Sequence, residues 1–333
     1  MVSRDVLLDV RDLHVWYRIY RGMRKVLRGV EFRVHRGERV GIVGETGCGK
    51  TTTLRSIMRI LPGAARVPRG QILYNNSEVL KMRSSELLEF RRRGAAMIFQ
   101  DPTAALNPVF TIRQLMTDAI RHSGVAGNDT RTIQKRAVSA LADVALPDPE
   151  RMLDNYPFQL SGGMRQRVCI AMAIAVNKNL LLADEPGTSL DVTIEDQILR
   201  LINRLVAEEE GLSVVLVSHS LGVIRQMTDR TYVMYAGQMV EEAETSRLFS
   251  NPCHPYTRAL LECVPRLTGL GTSEGIPGAM PDYLNPPPGC RFHPRCPDVM
   301  DECRQHAPRI TDMADGQRVA CFLHGSGIGD ENE

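Results

Sequence analysis

Nine consecutive residues, Gly44-Glu45-Thr46-Gly47-Cys48-Gly49-Lys50-Thr51-Thr52, carry the strongest chemical signal in the chain. They fit G-x-x-x-x-G-K-[ST], the pattern of a phosphate-binding loop. The glycines let the backbone turn tightly, so that successive N–H groups and the start of the following helix face a phosphate chain. Lys50 is placed to reach the terminal phosphates, and the Thr51 hydroxyl to ligate magnesium. Three more polar positions each follow a short apolar run. Gln100 follows residues 95–99, Asp184 and Glu185 follow residues 180–183, and Ser218 and His219 follow residues 214–217. In parallel α/β sheets, ligands gather at the carboxyl ends of the strands. These groups are therefore expected around the phosphates. Asp184 suits magnesium, Glu185 suits the polarisation of an attacking water, and His219 suits the terminal phosphate.

The elements that must position these groups are legible in the apolar pattern. Residues 39–43 read as a buried strand into the loop, and residues 53–61 as the helix after it, stopped by Pro62-Gly63. Upstream, residues 6–15 and 26–34 read as strands around an Arg- and Gly-rich loop at 18–25, with the aromatic pair Trp16-Tyr17 at the end of the first. Residues 84–93 read as a serine-capped helix with a basic last turn. Helical spacing at 110–122 and 131–144 marks a helical insertion in an α/β domain. Leu160-Ser161-Gly162-Gly163-Met164-Arg165-Gln166 then opens an apolar helix through Val176. A helix over 192–210 and a hairpin at 232–241 around Ala236-Gly237 complete the body. Strands alternating with helices predict a largely parallel sheet.

Composition fits this reading. The chain has 333 residues, is 43% hydrophobic and 24% charged, and has a net charge of +2. That size allows one large or two modest domains, and the charge argues neither for nor against nucleic acid. The longest uninterrupted apolar run, Val168 to Val176, has nine residues, half of what a membrane span requires. The first residues lack an apolar signal core, so a cytoplasmic location is expected, with docking on a membrane protein as an option.

The order of the motifs resembles that of ABC-transporter ATPases. The run at 160–166 is similar to the signature motif of that family. It stands in the family's order with an aromatic at Tyr17, the phosphate loop, a Q-loop glutamine at Gln100, the acidic strand end at Asp184, Glu185, a D-loop at Ser189-Leu190-Asp191 and a switch histidine at His219. Gly187 and Ser220 stand where threonine and aspartate are common. The resemblance covers residues 5–262 and implies a RecA-like core, an antiparallel β subdomain and a helical subdomain at about 108–160. It implies that Tyr17 and residues 44–52 bind ATP, and that Thr51, Gln100 and Asp184 serve magnesium. Lys50, Gln100, Glu185 and His219 would serve catalysis. It also implies pairing of two ATPase subunits, with Ser161, Gly162, Gly163 and Asp191 closing on the partner's ATP.

From about residue 263 the composition shifts to Pro, Gly and Cys. Cys290, Cys296, Cys303 and Cys321 are spaced C-x5-C-x6-C-x17-C, without a C-x2-C knuckle. A segment so poor in apolar residues needs a staple. Spacing favours a metal over unligated buried thiols and leaves its identity open, with iron–sulfur suited to four thiolates and zinc as the alternative. Arg291, Arg295 and Arg304 are expected to offset the cluster's charge. The runs His254-Pro255-Tyr256-Thr257-Arg258-Ala259-Leu260-Leu261, Ile276-Pro277-Gly278-Ala279-Met280-Pro281 and residues 286–296 resemble oligopeptide/dipeptide importer ATPases. That resemblance implies a [4Fe–4S] cluster, two permease subunits, a second and paralogous ATPase, an external solute-binding protein and a place on the cytoplasmic face of the membrane. Nickel or oligosaccharide import is the alternative substrate. A soluble ABC ATPase acting on nucleic acid or ribosomes is the alternative of another class. The tail lacks interleaved stacking aromatics and continuous basic charge, so no nucleic acid is expected.

Overall fold

The computed structural model describes residues 5–127, 129–176, 178–187, 192–208, 211–263 and 275–329. The chain divides into two compact units. One comprises residues 1–5, 35–38 and 81–216, and the other residues 6–34, 39–80 and 217–333.

The second unit holds the phosphate loop and two sheets. Val6–Ile19 and Gly22–His35 are long strands of an antiparallel sheet whose order continues through Gln71–Tyr74 and Ser77–Glu78. Register is set by pairs such as Leu8↔Tyr74 and Val10↔Ile72. The segment expected to be an open loop at 18–25 is instead a tight hairpin at Tyr20-Arg21. Gly22, at φ 134°, restarts the ladder with a backbone that β-branched residues avoid. In the other sheet, Arg39–Val43 runs parallel to Arg230–Tyr235, with Ile42 opposite Tyr232. Every residue of Arg39–Val43 except Arg39 is buried, as a strand covered on both faces should be. Arg230–Tyr235 turns through Ala236-Gly237 into Gln238–Glu244, its antiparallel neighbour. Both turn residues have positive φ, 44° and 80°, the primed-turn geometry that suits the right-handed twist of a hairpin.

The C-terminal extension is built onto this sheet. Arg318–Val319 pairs antiparallel with Gln238–Glu244, and Thr311–Asp312 pairs with Arg318–Val319 in turn. Arg318 donates to Glu242 at 3.0 Å. Phe292, 1% exposed, packs against Tyr235 and Tyr256 at centroid distances of 5.1 and 5.4 Å. Burial of such a ring is worth about 1.5–3 kcal/mol. Scarcity of apolar residues is therefore met partly by borrowing the core of the sheet the extension leans on, which composition alone could not reveal.

The first unit carries the helical insertion and the acidic strand. Ala95–Ile98 and Leu180–Asp184 pair in parallel, Ala95 opposite Leu180 and Ile98 opposite Ala183. Arg83, and not a serine, precedes Ser84–Glu89, and the cap is the Glu86 carboxylate accepting from the Arg83 N–H at 2.8 Å. It passes into a wider turn at Phe90–Gly94. Ile112–Ser123 and Thr130–Asp143 form the insertion. Thr111 and Gln114 make a reciprocal capping box at the start of Ile112–Ser123, and Gly124 ends it at φ 73°. Asp129 caps Thr130–Asp143 by accepting from Thr132 N–H at 2.9 Å. No described helix is long and apolar enough to cross a membrane.

Candidate nucleotide site and cysteine centre

The phosphate loop leaves its strand at Gly44, whose φ is 154°. A Cβ there would lie 2.1 Å from the Met234 carbonyl oxygen and 2.8 Å from Cys48 Sγ, so only glycine fits. The loop ends at Gly49, the left-handed N-cap of Lys50–Ile57. Lys50 is 4% exposed and its Nζ donates to the Gly44 and Glu45 carbonyls at 2.7 and 3.1 Å. The ammonium thus stands across the mouth of the loop, where a phosphate would replace those carbonyls. Tyr17 reaches the same loop, its hydroxyl 3.3 Å from Thr52 Oγ1. A ring at that place can stack on a base. Thr46 and Gly47 are exposed, and Thr51 and Thr52 are half-buried. His219 is exposed in the loop after Ser213–Val217, beside Ser218, whose Oγ accepts from Ser220 N–H at 2.9 Å.

Glu45 differs from expectation. Its carboxylate is held by Arg295 at 2.7 and 2.9 Å, and its N–H donates to Tyr256 Oη at 2.9 Å. Both groups are held by the protein itself, so Glu45 anchors the loop. Arg295 correspondingly is not a counter-charge for the cysteines, because its own charge is committed to Glu45. Burial raises the Cys296 and Cys321 thiols, and the charge of Arg258 offsets this in part.

Cys48 invites the idea of a reactive thiolate near a helix N-terminus. In the structure it is fully buried, and burial pushes its thiol above the ordinary value despite Lys50 nearby. It is a small space-filling residue behind Gly44. A thiol reagent such as N-ethylmaleimide is expected to leave Cys48 unmodified in the native chain, as peptide mass mapping after brief labelling would show.

In the first unit, Asp184 and Glu185 end the strand Leu180–Asp184, and Gln100 follows Ala95–Ile98. The parallel pairing of these two strands brings their ends together. Gln100 Nε2 donates to Glu185 Oε2 at 3.2 Å. Asp184 is 1% exposed and Glu185 9%, and Glu185 adopts φ 44°. A non-glycine residue held in the left-handed region stores strain of about 1–3 kcal/mol and often marks a functional position. Ser161 caps Gly162–Ile174, its Oγ accepting from Met164 N–H at 3.3 Å. Gly163 packs under Ile194, where a Cβ would come within 2.9 Å. Gly187 is explained locally, since a Cβ would lie 2.5 Å from Glu195 Cγ. The predicted D-loop residues Ser189, Leu190 and Asp191 lie outside the described residues.

Cys290, Cys296, Cys303 and Cys321 all line one small cavity, together with His254, His293 and Asp298. Cys290 N–H donates to the Cys303 carbonyl at 2.9 Å. Gly289, at φ 65°, allows that approach, because a Cβ there would be 2.5 Å from the same carbonyl oxygen. Burial pushes the Cys290 thiol up to about 12 and that of Cys321 to about 11. His254 is kept neutral by burial, its pKa near 3, and its Nδ1 accepts from Tyr256 N–H. Among the described residues, no three His, Cys, Asp or Glu side chains stand close enough to hold a single metal ion.

Comparison with known proteins agrees with this geometry. Residues 27–188 match the family model for ABC transporters, and residues 240–303 that for the oligopeptide/dipeptide transporter C-terminal region. A dipeptide transport ATP-binding protein of Bacillus subtilis is 43% identical over 96% of this chain and 95% of its own. The chain belongs to the ABC-transporter ATP-binding family, oligopeptide/dipeptide type. An oligopeptide transport ATP-binding protein of the same organism is 39% identical over 96% of this chain and 97% of its own. Among solved structures, a dimeric ATP-binding cassette in a post-hydrolysis state with ADP and Pi superposes with a TM-score of 0.64. It is 28% identical and covers 72% of this chain and 98% of that one. As a family member the chain is an ATP hydrolase coupled to transport. Residues missed in the sequence are those that hold the loop from the C-terminal side, Tyr256, Tyr283 and Arg295. Tyr256 and Arg295 lie in motifs recognised for other reasons and Tyr283 lies between two of them, and only the fold brings all three to residues 45–47.

Proposed function

We propose that this chain is the ATP-hydrolysing subunit of a peptide importer. It would work at the cytoplasmic face of the membrane with two permease subunits, a paralogous second ATPase and an external solute-binding protein. The observation that carries this reading is a phosphate loop and a four-cysteine extension within one chain, matched over nearly its whole length by dipeptide and oligopeptide transport relatives.

Within this reading, residues 44–52 form the phosphate site, in which Glu45 anchors the loop, Tyr17 stacks on the base, and Thr51, Asp184 and Gln100 serve magnesium. When bound, magnesium supplies charge neutralisation on the terminal phosphates. Glu185 polarises the attacking water while Gln100 orients its carboxylate, and His219 contacts the terminal phosphate. Ser161, Gly162, Gly163 and Asp191 serve the partner's nucleotide. The N-terminal N–H groups of Gly162–Ile174 favour an anion there.

The four cysteines fit an iron–sulfur cluster by donor chemistry, since all four line one small cavity. Cys290, Cys296, Cys303 and Cys321 would hold a [4Fe–4S] group, in a structural role. Zinc is the alternative, and iron and sulfide analysis separates the two.

Reconstitution with the neighbouring permeases in liposomes tests the transport reading. ATP inside should drive uptake of labelled di- or oligopeptide delivered by the solute-binding protein. Uptake of nickel or oligosaccharide without peptide would replace the substrate. Copurification with RNA or DNA in place of permeases would overturn the reading.

A further inference from the structure

The C-terminal extension touches the phosphate loop at several points. Arg295 is 5% exposed on its side chain and grips both Glu45 carboxylate oxygens. Its remaining donors go to the Pro277 and Ile276 carbonyls at 2.8 and 2.9 Å and toward Tyr235 Oη at 3.4 Å. The Tyr283 hydroxyl donates to the Gly47 carbonyl at 2.7 Å. Tyr256 accepts from Glu45 N–H. Gly237 N–H donates to the Cys48 carbonyl at 2.8 Å, and Arg291 holds the preceding Ala236 carbonyl. Three of the five residues from Glu45 to Gly49 thus have their backbone or side chain tied from the C-terminal side.

We propose that Arg295 and Tyr283 are positioning residues for the nucleotide site, which set the shape of the phosphate loop and thereby its affinity for ATP. The proposal rests on the reading of residues 44–52 as the phosphate loop. The chemistry is pre-organisation. A loop that must aim several amides at the phosphates loses less entropy on binding if its outward groups are already fixed. Glu45 and Gly47 are the positions to fix, because their side chain and carbonyl point away from the ligand face. A bidentate arginine fixes an orientation, which a lysine, a point charge on a flexible stem, cannot. Burial adds to this, since the pair is screened little by water.

The same stretch carries the cysteines. Arg291 follows Cys290 and Arg295 precedes Cys296, with the short helix His293–Arg295 between them. Whatever fastens Cys290 and Cys296 therefore also fastens the two arginines that reach the nucleotide side.

The experiment is titration of the full chain with magnesium and the non-hydrolysable analogue AMP-PNP, with KM and kcat for ATP in the assembled complex. Arg295→Ala and Glu45→Ala should each raise Kd about tenfold, and the double variant should be no weaker than either single one, because both remove one interaction. Tyr283→Phe, which keeps the ring and loses one hydrogen bond, should raise Kd roughly threefold. Arg295→Lys should recover only part of the affinity. KM should rise with Kd while kcat at saturating ATP stays within about twofold, a split that general loss of structure does not produce. Wild-type Kd in both Arg295→Ala and Tyr283→Phe would overturn the proposal, as would a double variant whose loss is the product of the single losses. If Arg295→Ala does not fold, Tyr283→Phe decides. Lys50→Ala serves as reference: undiminished AMP-PNP binding there would refute the loop reading itself, whatever Arg295 does.

Discussion

Replacing Glu185 by glutamine is expected to reduce ATP turnover in the assembled complex by about two to three orders of magnitude, a barrier increase of ~3–4 kcal/mol. ATP binding should be retained. The two side chains have the same shape, and the glutamine carbonyl can still accept the hydrogen bond that Gln100 now donates to Glu185 at 3.2 Å. Both are L residues and face the same cost at φ 44°, so the backbone of the strand end should not change. What disappears is negative charge and basicity at one oxygen. The phosphate loop lies in a different stretch of chain and keeps Lys50, Thr51 and its held backbone. The expected signature is therefore stoichiometric ATP trapped in the complex with phosphate release nearly abolished. Measuring phosphate release and bound nucleotide on the same preparation checks it. Wild-type hydrolysis by this variant would remove Glu185 from catalysis. Gln100→Ala provides a graded comparison, since it deletes the orienting donor and leaves the carboxylate; a loss of roughly tenfold fits a positioning part.

How far the sequence foretold this site depends on what each residue answers to. The phosphate loop was legible because its spacing is dictated by local backbone geometry. Gly44 and Gly49 are needed within a single turn, and nothing distant can change that. The strand ends at Gln100 and Asp184 were legible because buried parallel strands are short apolar runs, and Ala95–Ile98 and Leu180–Asp184 are both of that kind. The two helices of the insertion stand within two residues of their expected boundaries because caps are local as well, Thr111 and Asp129 supplying them. Arginine-rich flanks give the hairpin at Tyr20-Arg21 the composition of a loop. Strand pairing there is decided by the neighbouring strands, which local propensity does not register. Proximity in sequence points Arg295 at the cysteines, yet its partner is 250 positions away. The extension was expected to lack a core. It has one, but half of it belongs to the sheet it leans on, where Phe292 meets Tyr235 and Tyr256.

Substituting Cys303 by serine is expected to have the largest effect outside the nucleotide site. Purified anaerobically, the wild-type chain should carry about four irons and matching sulfide, with broad visible absorption. The Cys303→Ser variant should carry almost none. Cys303 is buried and its carbonyl already receives the Cys290 N–H, so it sits at the centre of the segment that the other thiols must meet. Metal binding in such a segment is folding energy. A loss of even ~3 kcal/mol should lower the Tm by roughly 5–10 °C, and proteolysis should begin within residues 290–329. The body should remain folded, because Arg39–Val43, Arg230–Tyr235 and the strands of the N-terminal sheet have their own buried residues. Limited proteolysis followed by mass analysis separates these outcomes, with a stable core ending before residue 290 as the expected product. One zinc per chain and no visible band in the wild type would change the identity of the group while leaving the role of the cysteines intact. A Cys303→Ser variant with wild-type Tm and no metal in either form would show that the extension is held by Phe292 and the Arg318–Val319 pairing alone, and that the thiols are merely buried.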